Sequence, residues 1–128
     1  MTMGCTLRQV EDVVILDLSG RLSLGEALAF RPGRDALLND AVRELANEGH
    51  RKILLNLAGV KYVDSSGVGQ LVGTLTTARG QGVELKLFSP AKQVVDLLKI
   101  TKLHAVFDVR ESEADAIAAF SRTATAGV

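Results

Sequence analysis

Residues 51–82 read RKILLNLAGVKYVDSSGVGQLVGTLTTARGQG, and the rest of the chain is arranged around the apolar pattern of this stretch. The short apolar run at 53–57 is typical of a strand that is buried on both faces, as in a parallel sheet. A turn is expected after this run, before the apolar pair Tyr62-Val63. The apolar residues then recur at helical spacing, which predicts a helix over 65–80 that Gly80 and Gly82 end. The predicted inner stripe of this helix consists of Val68, Leu71, Val72 and Leu75.

The tetrapeptide Asp64-Ser65-Ser66-Gly67 lies at the junction between the predicted strand and the predicted helix. Asp64 or Ser65 is expected to be the N-cap, because a short side-chain oxygen can accept from the free N–H groups of the first helical turn. The chemistry alone leaves two interpretations open. The tetrapeptide is either only a helix cap, or it is a phosphorylation site, since a phosphate at a helix N-terminus is stabilised by those N–H groups and by the helix dipole.

The N-terminal half of the chain predicts a hairpin followed by a helix. Residues 4–10 and 12–20 carry alternating or β-branched apolar residues, which favours two antiparallel strands. Residues 26–33 are ambiguous, since they allow a helical turn that Pro32-Gly33 would break. A helix is predicted from Arg34 to a C-terminal Gly49. Its apolar stripe is Leu38, Ala41, Val42 and Leu45.

The C-terminal half predicts a β-α-β unit, in which the strand at 52–57 and a strand at 83–87 are parallel and are connected by the helix. One domain over 1–128 is expected, with its core at about 8–120 and a frayed tail at 121–128. The remaining predicted elements are a helix that starts at Ser89-Pro90, a short strand at 105–109, and a helix that starts at the capping box Ser112-Glu113-Ala114-Asp115.

The composition excludes several classes of function. The 128 residues include 15 Lys plus Arg and 15 Asp plus Glu, so the net charge is zero and a broad electrostatic surface for nucleic acid is not expected. No apolar run is long enough to insert in a membrane, and the N-terminus lacks the apolar core of a signal peptide. With Cys5 as the single cysteine, no disulfide framework is available, and a cytoplasmic location is expected.

Catalytic, metal and cofactor sites are not predicted. His50 and His104 are far apart in the sequence and belong to no metal-binding motif. The serines lack the G-x-S-x-G pattern of a hydrolase nucleophile. The segment from Gly67 to Gly73 is a near-match to a dinucleotide fingerprint, but its glycines are explained more simply by a tight turn and close helix–sheet packing.

The motif VDSSGVG after ILLNLAGVKY, followed by a helix, GVELKL and a proline-capped helix, resembles the STAS-domain anti-sigma factor antagonists. The order of the elements also matches, from VVILDLSGRLS onward, and the resemblance covers about residues 8–120. It implies an α/β fold with one STAS-like domain. The expected sheet is mixed, with about four or five strands, and about four helices are packed mainly on one face.

The resemblance also implies a function. In that family the serine directly after the aspartate is phosphorylated, and this position is Ser65 here. The implied kinase is an anti-sigma factor of the histidine-kinase-like ATPase fold, and a PP2C-type phosphatase restores the serine. The unphosphorylated protein binds the anti-sigma factor and releases the sigma factor, so the protein is a substrate and a binding module, not an enzyme. The residues expected to bind the partner are Asp64, Ser66, Gly67, Arg21, Ser23 and Glu26.

Two departures from the family bear on the partner. Many members carry an aspartate where this chain has Ser23, and Glu26 is the candidate to replace that charge. The loop at 24–36 also looks longer than usual. The alternative function is a STAS scaffold without phosphorylation, in a stress-signalling complex or a lipid transporter. A weak homodimer is compatible with either function.

Overall fold

The computed structural model describes residues 2–23, 26–90, 92–100, 102 and 109–120 of the chain. The predicted frayed tail at 121–128 and most of the predicted strand at 105–109 lie outside these residues. The strands are β1 Thr2–Val10, β2 Val13–Leu22, β3 Ala27–Arg31, β4 Arg34–Ala36, β5 Lys52–Val63, β6 Glu84–Phe88 and β7 Val109–Arg110. The helices are α1 Leu38–Asn47, α2 Ser65–Gly80, α3 Lys92–Ile100 and α4 Glu113–Ala119.

The strands form one mixed sheet in the order β4-β3-β1-β2-β5-β6-β7. Strands β1 and β2 form the predicted antiparallel hairpin, and β2, β5, β6 and β7 are parallel to one another. The sheet has seven strands in the described part of the chain, rather than the four or five that were expected. Most of the difference is the β3–β4 hairpin, which residues 27–36 add beyond β1.

The two sheet faces are covered by different helices. Helices α1, α2 and α3 bury their apolar residues against one face, which includes Leu16, Leu55 and Leu87. Helix α4 packs on the other face with Ile15 and Leu54. Neighbouring residues of β2 and β5 therefore point into opposite cores, as the uniformly apolar run in β5 predicted. The arrangement of helices mainly on one face is confirmed.

Strand β5 is longer than predicted, and the expected turn before Tyr62 is wrong. The strand runs for 12 residues and stays paired with β2 as far as Leu22 and Val63. Its register shifts twice along β2, between Asp17 and Ser19 and again near Arg21. Such irregularities bend a strand without ending it, so the chain reaches α2 in an extended conformation.

The predicted start of the first helix at Arg34 is also wrong, because α1 begins at Leu38. Residues 26–33 form β3 and a turn instead of a helical turn, and Phe30 is buried in the core. The hairpin is held to α1 by ion pairs from Arg31 to Glu44 and Glu48. These contacts join residues that are distant in sequence, which is why the local pattern did not reveal them.

The helix ends follow the local signals more closely. Gly49 has φ 99° directly after the C-cap of α1, as predicted for a glycine at that position. Helix α3 is described from Lys92, and Ala91 before it lies outside the described residues. The hydroxyl of Ser112 accepts from the N–H of Asp115 at 3.1 Å, so the predicted N-cap of α4 is confirmed.

Candidate functional site

Asp64, not Ser65, is the N-cap of α2. Its backbone is extended, with φ −103° and ψ −177°, and its Oδ1 atom accepts from the N–H of Gly67 at 2.8 Å. Its carbonyl accepts from the N–H of Val68 at 3.0 Å, which is the first hydrogen bond of the helix. One residue therefore supplies both acceptors at the helix N-terminus, and neither serine hydroxyl is needed for capping.

Ser65 and Ser66 are the first two residues of α2, and both are exposed. Their hydroxyls make no hydrogen bond to any described residue. A hydroxyl that is exposed at the first turn of a helix is accessible to a second protein and lies next to free backbone N–H groups. A charged group added there would meet the positive end of the helix dipole.

Gly67 brings the helix N-terminus against the end of β2. A Cβ atom at this position would overlap the carbonyl oxygen of Leu22 and would lie 2.8 Å from the carbonyl carbon. The predicted role of this glycine in close helix–sheet packing is confirmed. That role is wrong for Gly69 and Gly73, where an added Cβ meets no atom within 4 Å.

Arg21 and Tyr62 lie opposite each other on β2 and β5, one position before the pair Leu22 and Val63. The guanidinium carbon of Arg21 lies 4.4 Å from the centroid of the Tyr62 ring. Leu22 and Val63 pack into the core beneath α2, so the arginine and tyrosine extend from the opposite face of the sheet. Both side chains are exposed.

Ser23 and Glu26 follow β2, and the N–H of Glu26 donates to the carbonyl of Ser23 at 3.2 Å. Both residues are partly buried. Neither side chain is linked to the first turn of α2 by a hydrogen bond or an ion pair within the described ranges. The structure therefore brings Arg21, Asp64 and Gly67 to one strand end, while the role of Glu26 as a replacement charge stays a prediction.

A second polar cluster was not predicted from the sequence. Arg8 on β1 donates to Asp17 at 2.6 Å and also pairs with Glu113 of α4. Asn56 donates to the same Asp17 carboxylate at 2.8 Å. The hydrogen bonds from Arg8 lower the pKa of Asp17 and of Glu113 below their usual values, so both carboxylates stay charged. The cluster ties α4 to the β1–β2 hairpin, and its members are too far apart in sequence to form a local motif.

Other chemistry is limited in the described residues. They contain no group of three His, Cys, Asp or Glu side chains that would hold a metal ion. No helix among them has both the length and the apolar character needed to cross a bilayer. The Cys5 thiol lies half-buried on β1, and burial, with a smaller contribution from Asp17, raises its pKa to about 11. This thiol is therefore protonated at neutral pH and is a poor nucleophile.

A family model described as "STAS domain" matches residues 5–116. The chain belongs to the STAS domain family. A relative from Thermotoga neapolitana, named as a candidate anti-sigma factor antagonist, is 32% identical over 108 residues, which are 84% of this chain and 89% of the relative. The anti-sigma-B factor antagonist of Bacillus subtilis strain 168 is 27% identical over 109 residues, 85% of this chain and 92% of that protein.

The fold agrees with this membership. The crystal structure of a candidate anti-sigma factor antagonist from Thermotoga maritima has a TM-score of 0.72 to this STAS domain, at 26% identity. The superposition covers 88% of this chain and 91% of the Thermotoga protein. The predicted family and fold class are therefore confirmed.

Proposed function

We propose that this STAS domain is an anti-sigma factor antagonist, and that phosphorylation of Ser65 switches its binding to the anti-sigma factor. The observation that carries the proposal is the division of roles at the N-terminus of α2. Asp64 caps the helix, and the exposed Ser65 hydroxyl makes no hydrogen bond to any residue that the structure describes. Relatives of similar length that are named anti-sigma factor antagonists support the same function.

The expected effect of the phosphate is on docking and not on folding. A phosphoserine carries about −1.5 to −2 charges at neutral pH. The free N–H groups of the first turn and the helix dipole compensate part of this charge, so the fold tolerates it. A partner surface that packs against the unmodified hydroxyl would instead meet added bulk, a charge next to Asp64, and a phosphate that must be desolvated. A loss of about 3 kcal/mol would weaken binding roughly a hundredfold.

The proposed partners are those that the family resemblance implies. The kinase would be an anti-sigma factor of the histidine-kinase-like ATPase fold, and a PP2C-type phosphatase would remove the phosphate. In this proposal the STAS domain is a protein substrate and binding module in the bacterial cytoplasm, with no catalytic residue of its own. Asp64, Ser66 and Gly67 would form the part of the docking surface that surrounds Ser65.

Phosphopeptide mapping tests the proposed site. The purified chain would be incubated with ATP and each ATPase-fold anti-sigma factor of its own genome. Phosphate is expected on the wild type and on Ser66→Ala, which is the matched control, and not on Ser65→Ala. Modification that persists in Ser65→Ala and disappears in Ser66→Ala would move the site to Ser66.

Calorimetry on the purified pair tests the switch. Ser65→Ala should bind the anti-sigma factor at least as tightly as the unmodified wild type, and the phosphorylated protein should bind roughly a hundredfold more weakly. Thermal melts should show that all three forms are folded, since the site is at a helix end. Equal affinities for the three forms would reject the switch and favour the scaffold function.

A further inference from the structure

The Arg21–Tyr62 pair has the geometry of a preorganised anion-binding element. The two residues are directly paired across β2 and β5, and the guanidinium stacks 4.4 Å from the ring centroid. When an arginine stacks on an aromatic ring, the ring contacts one face of the guanidinium and fixes its orientation. The N–H groups along the edge of the guanidinium remain available to a ligand. Such an edge suits a carboxylate, which can accept two parallel hydrogen bonds from it.

The charge of Arg21 is not balanced within the described part of the chain. No carboxylate there forms an ion pair or hydrogen bond with it. Exposed Lys61, one residue before Tyr62, also lacks such a partner. Asp64, the acidic residue nearest to Lys61 in sequence, is already hydrogen-bonded to the N–H of Gly67. By contrast, four other arginines, namely Arg8, Arg31, Arg34 and Arg43, form ion pairs with carboxylates.

Tyr62 adds an apolar contact next to this charge. Its side chain is 41% exposed, which makes it one of three large hydrophobic residues with substantial exposure among those described. Tyrosine and arginine are enriched among residues that dominate binding at protein interfaces, since both combine a large contact area with a polar end. A surface that covers the ring would also desolvate Arg21, and an arginine buried without an anion would weaken the complex.

We propose that Arg21 and Tyr62 bind an Asp or Glu side chain of the partner protein. The inference rests on the proposed function, because it extends the docking surface from Ser65 across the strand ends. The two regions are joined by Leu22, whose carbonyl lies against Gly67. The complex forms in the unmodified state, so no phosphate on this chain is available to Arg21 when the partner binds. Phosphorylation of Ser65 would then add negative charge to the docking surface that the partner's carboxylate approaches, which weakens the complex.

Charge reversal on the two sides of the interface tests this inference. Arg21→Glu should weaken binding of the phosphorylating anti-sigma factor at least about tenfold. The matched control is Arg79→Glu, which makes the same change of charge at the other end of α2 and should change affinity by less than about twofold. The affinity of Arg21→Lys should lie between those of the wild type and Arg21→Glu, because lysine keeps the charge but cannot donate a bidentate pair of hydrogen bonds. Replacement of one acidic partner residue by arginine should restore binding to Arg21→Glu and not to Arg79→Glu.

Failure of the inference and failure of the proposed function give different results. If Arg21→Glu binds as tightly as the wild type while phosphorylation of Ser65 still abolishes binding, the role of Arg21 is rejected and the switch stands. A different outcome is that Arg21→Glu weakens binding although no replacement of an acidic partner residue by arginine restores it. In that case a partner carboxylate is rejected as the ligand of Arg21, in favour of another anion such as a nucleotide phosphate held by the partner.

A second measurement needs no partner. Tyr62 is the single tyrosine and the chain has no tryptophan, so tyrosine fluorescence reports on this site alone. A hexaglutamate peptide at roughly millimolar concentration should change the emission saturably in the wild type and not in Arg21→Gln, while hexalysine should have no effect. This result would support the inference even if no anti-sigma factor bound. No response to hexaglutamate, or an equal response to inorganic phosphate, would overturn it.

Discussion

Helices α1 and α2 cover the same face of the sheet, yet their solvent-facing sides differ in chemistry. The outer side of α1 carries Glu44, and its C-cap is Glu48; both pair with Arg31 of the β3–β4 hairpin. The outer side of α2 carries Gly69 and Gly73 together with hydroxyl side chains. The buried sides are alike in that aliphatic residues dominate both, although that of α2 also includes Gly67 and Thr74.

The difference shows that the outer side of α1 makes contacts within the molecule, whereas the outer side of α2 is available to a binding partner. The charged side of α1 is used within the molecule, because its ion pairs join it to the β3–β4 hairpin. The outer side of α2 makes no ion pair to the described residues and exposes both serines at its N-terminus. Four glycines lower the intrinsic stability of this helix, so the packing of its inner face and its N-cap must hold it in place.

The largest expected effect concerns the inner faces, where the two helices should behave alike. Leu71 of α2 and Leu45 of α1 are 0% and 1% exposed. Leu71→Ala and Leu45→Ala should each lower the free energy of unfolding by about 2–5 kcal/mol, because each leaves a cavity. Urea denaturation measures both, with exposed Thr76→Ala as the control at less than about 0.5 kcal/mol. A near-neutral Leu71→Ala would contradict the packing of α2.

The second prediction compares glycines within α2. Gly67→Ala should destabilise the protein by about 1–3 kcal/mol, because the added methyl group overlaps the Leu22 carbonyl. Gly69→Ala and Gly73→Ala should stabilise it by up to about 1 kcal/mol, since alanine is the better helix former and the space is open. Denaturant midpoints of the three variants would give opposite signs. The same sign for all three would show that Gly67 is not a packing constraint.

The third prediction separates the cap from the serine. Asp64→Ala should cost about 0.5–2 kcal/mol, because the N–H of Gly67 loses its acceptor. Asp64→Asn keeps an oxygen acceptor and should cost less. Ser65→Ala should change stability by less than about 0.5 kcal/mol, since its hydroxyl does not cap the helix. Thermal denaturation of the three variants measures these differences in stability. A large loss of stability in Ser65→Ala would show that this serine has a structural role.

The smallest expected effect concerns the ion pairs of α1 in acid. Hydrogen bonds from Arg31 lower the pKa of Glu48 below its usual value. Because the folded-state pKa is the lower one, the stabilisation is present above the unfolded value of about 4.3 and is lost as the pH falls through the folded-state pKa. Arg31→Gln should therefore reduce the acid-induced loss of stability by up to about 1 kcal/mol.

Urea denaturation at neutral pH and below about pH 4 checks this dependence. Arg43→Gln is the control, because Arg43 pairs with Asp40 within α1 and does not hold the hairpin. An unchanged acid dependence in Arg31→Gln would show that the hairpin is held by its apolar contacts, such as buried Phe30, and not by charge.

The sequence by itself determined the elements that depend on local signals. The helix at 65–80 was predicted with both of its ends, and so were the β1–β2 hairpin and the parallel β-α-β unit. These signals act over a few residues, since helical periodicity, a capping side chain and a glycine after a helix work through neighbouring atoms. The Asp-Ser-Ser-Gly motif belongs to the same class, and it located the candidate site.

Only the tertiary structure decided features that depend on residues far apart in the chain. Strand β5 continues to Val63 because β2 pairs with it, and β3 forms because it pairs with β1 and buries Leu28 and Phe30 in the core. The close approach of Gly67 to Leu22 and the stacking of Arg21 on Tyr62 appear only when β2 and β5 lie side by side. Such contacts carry no local periodicity, so the chain must be folded before they exist.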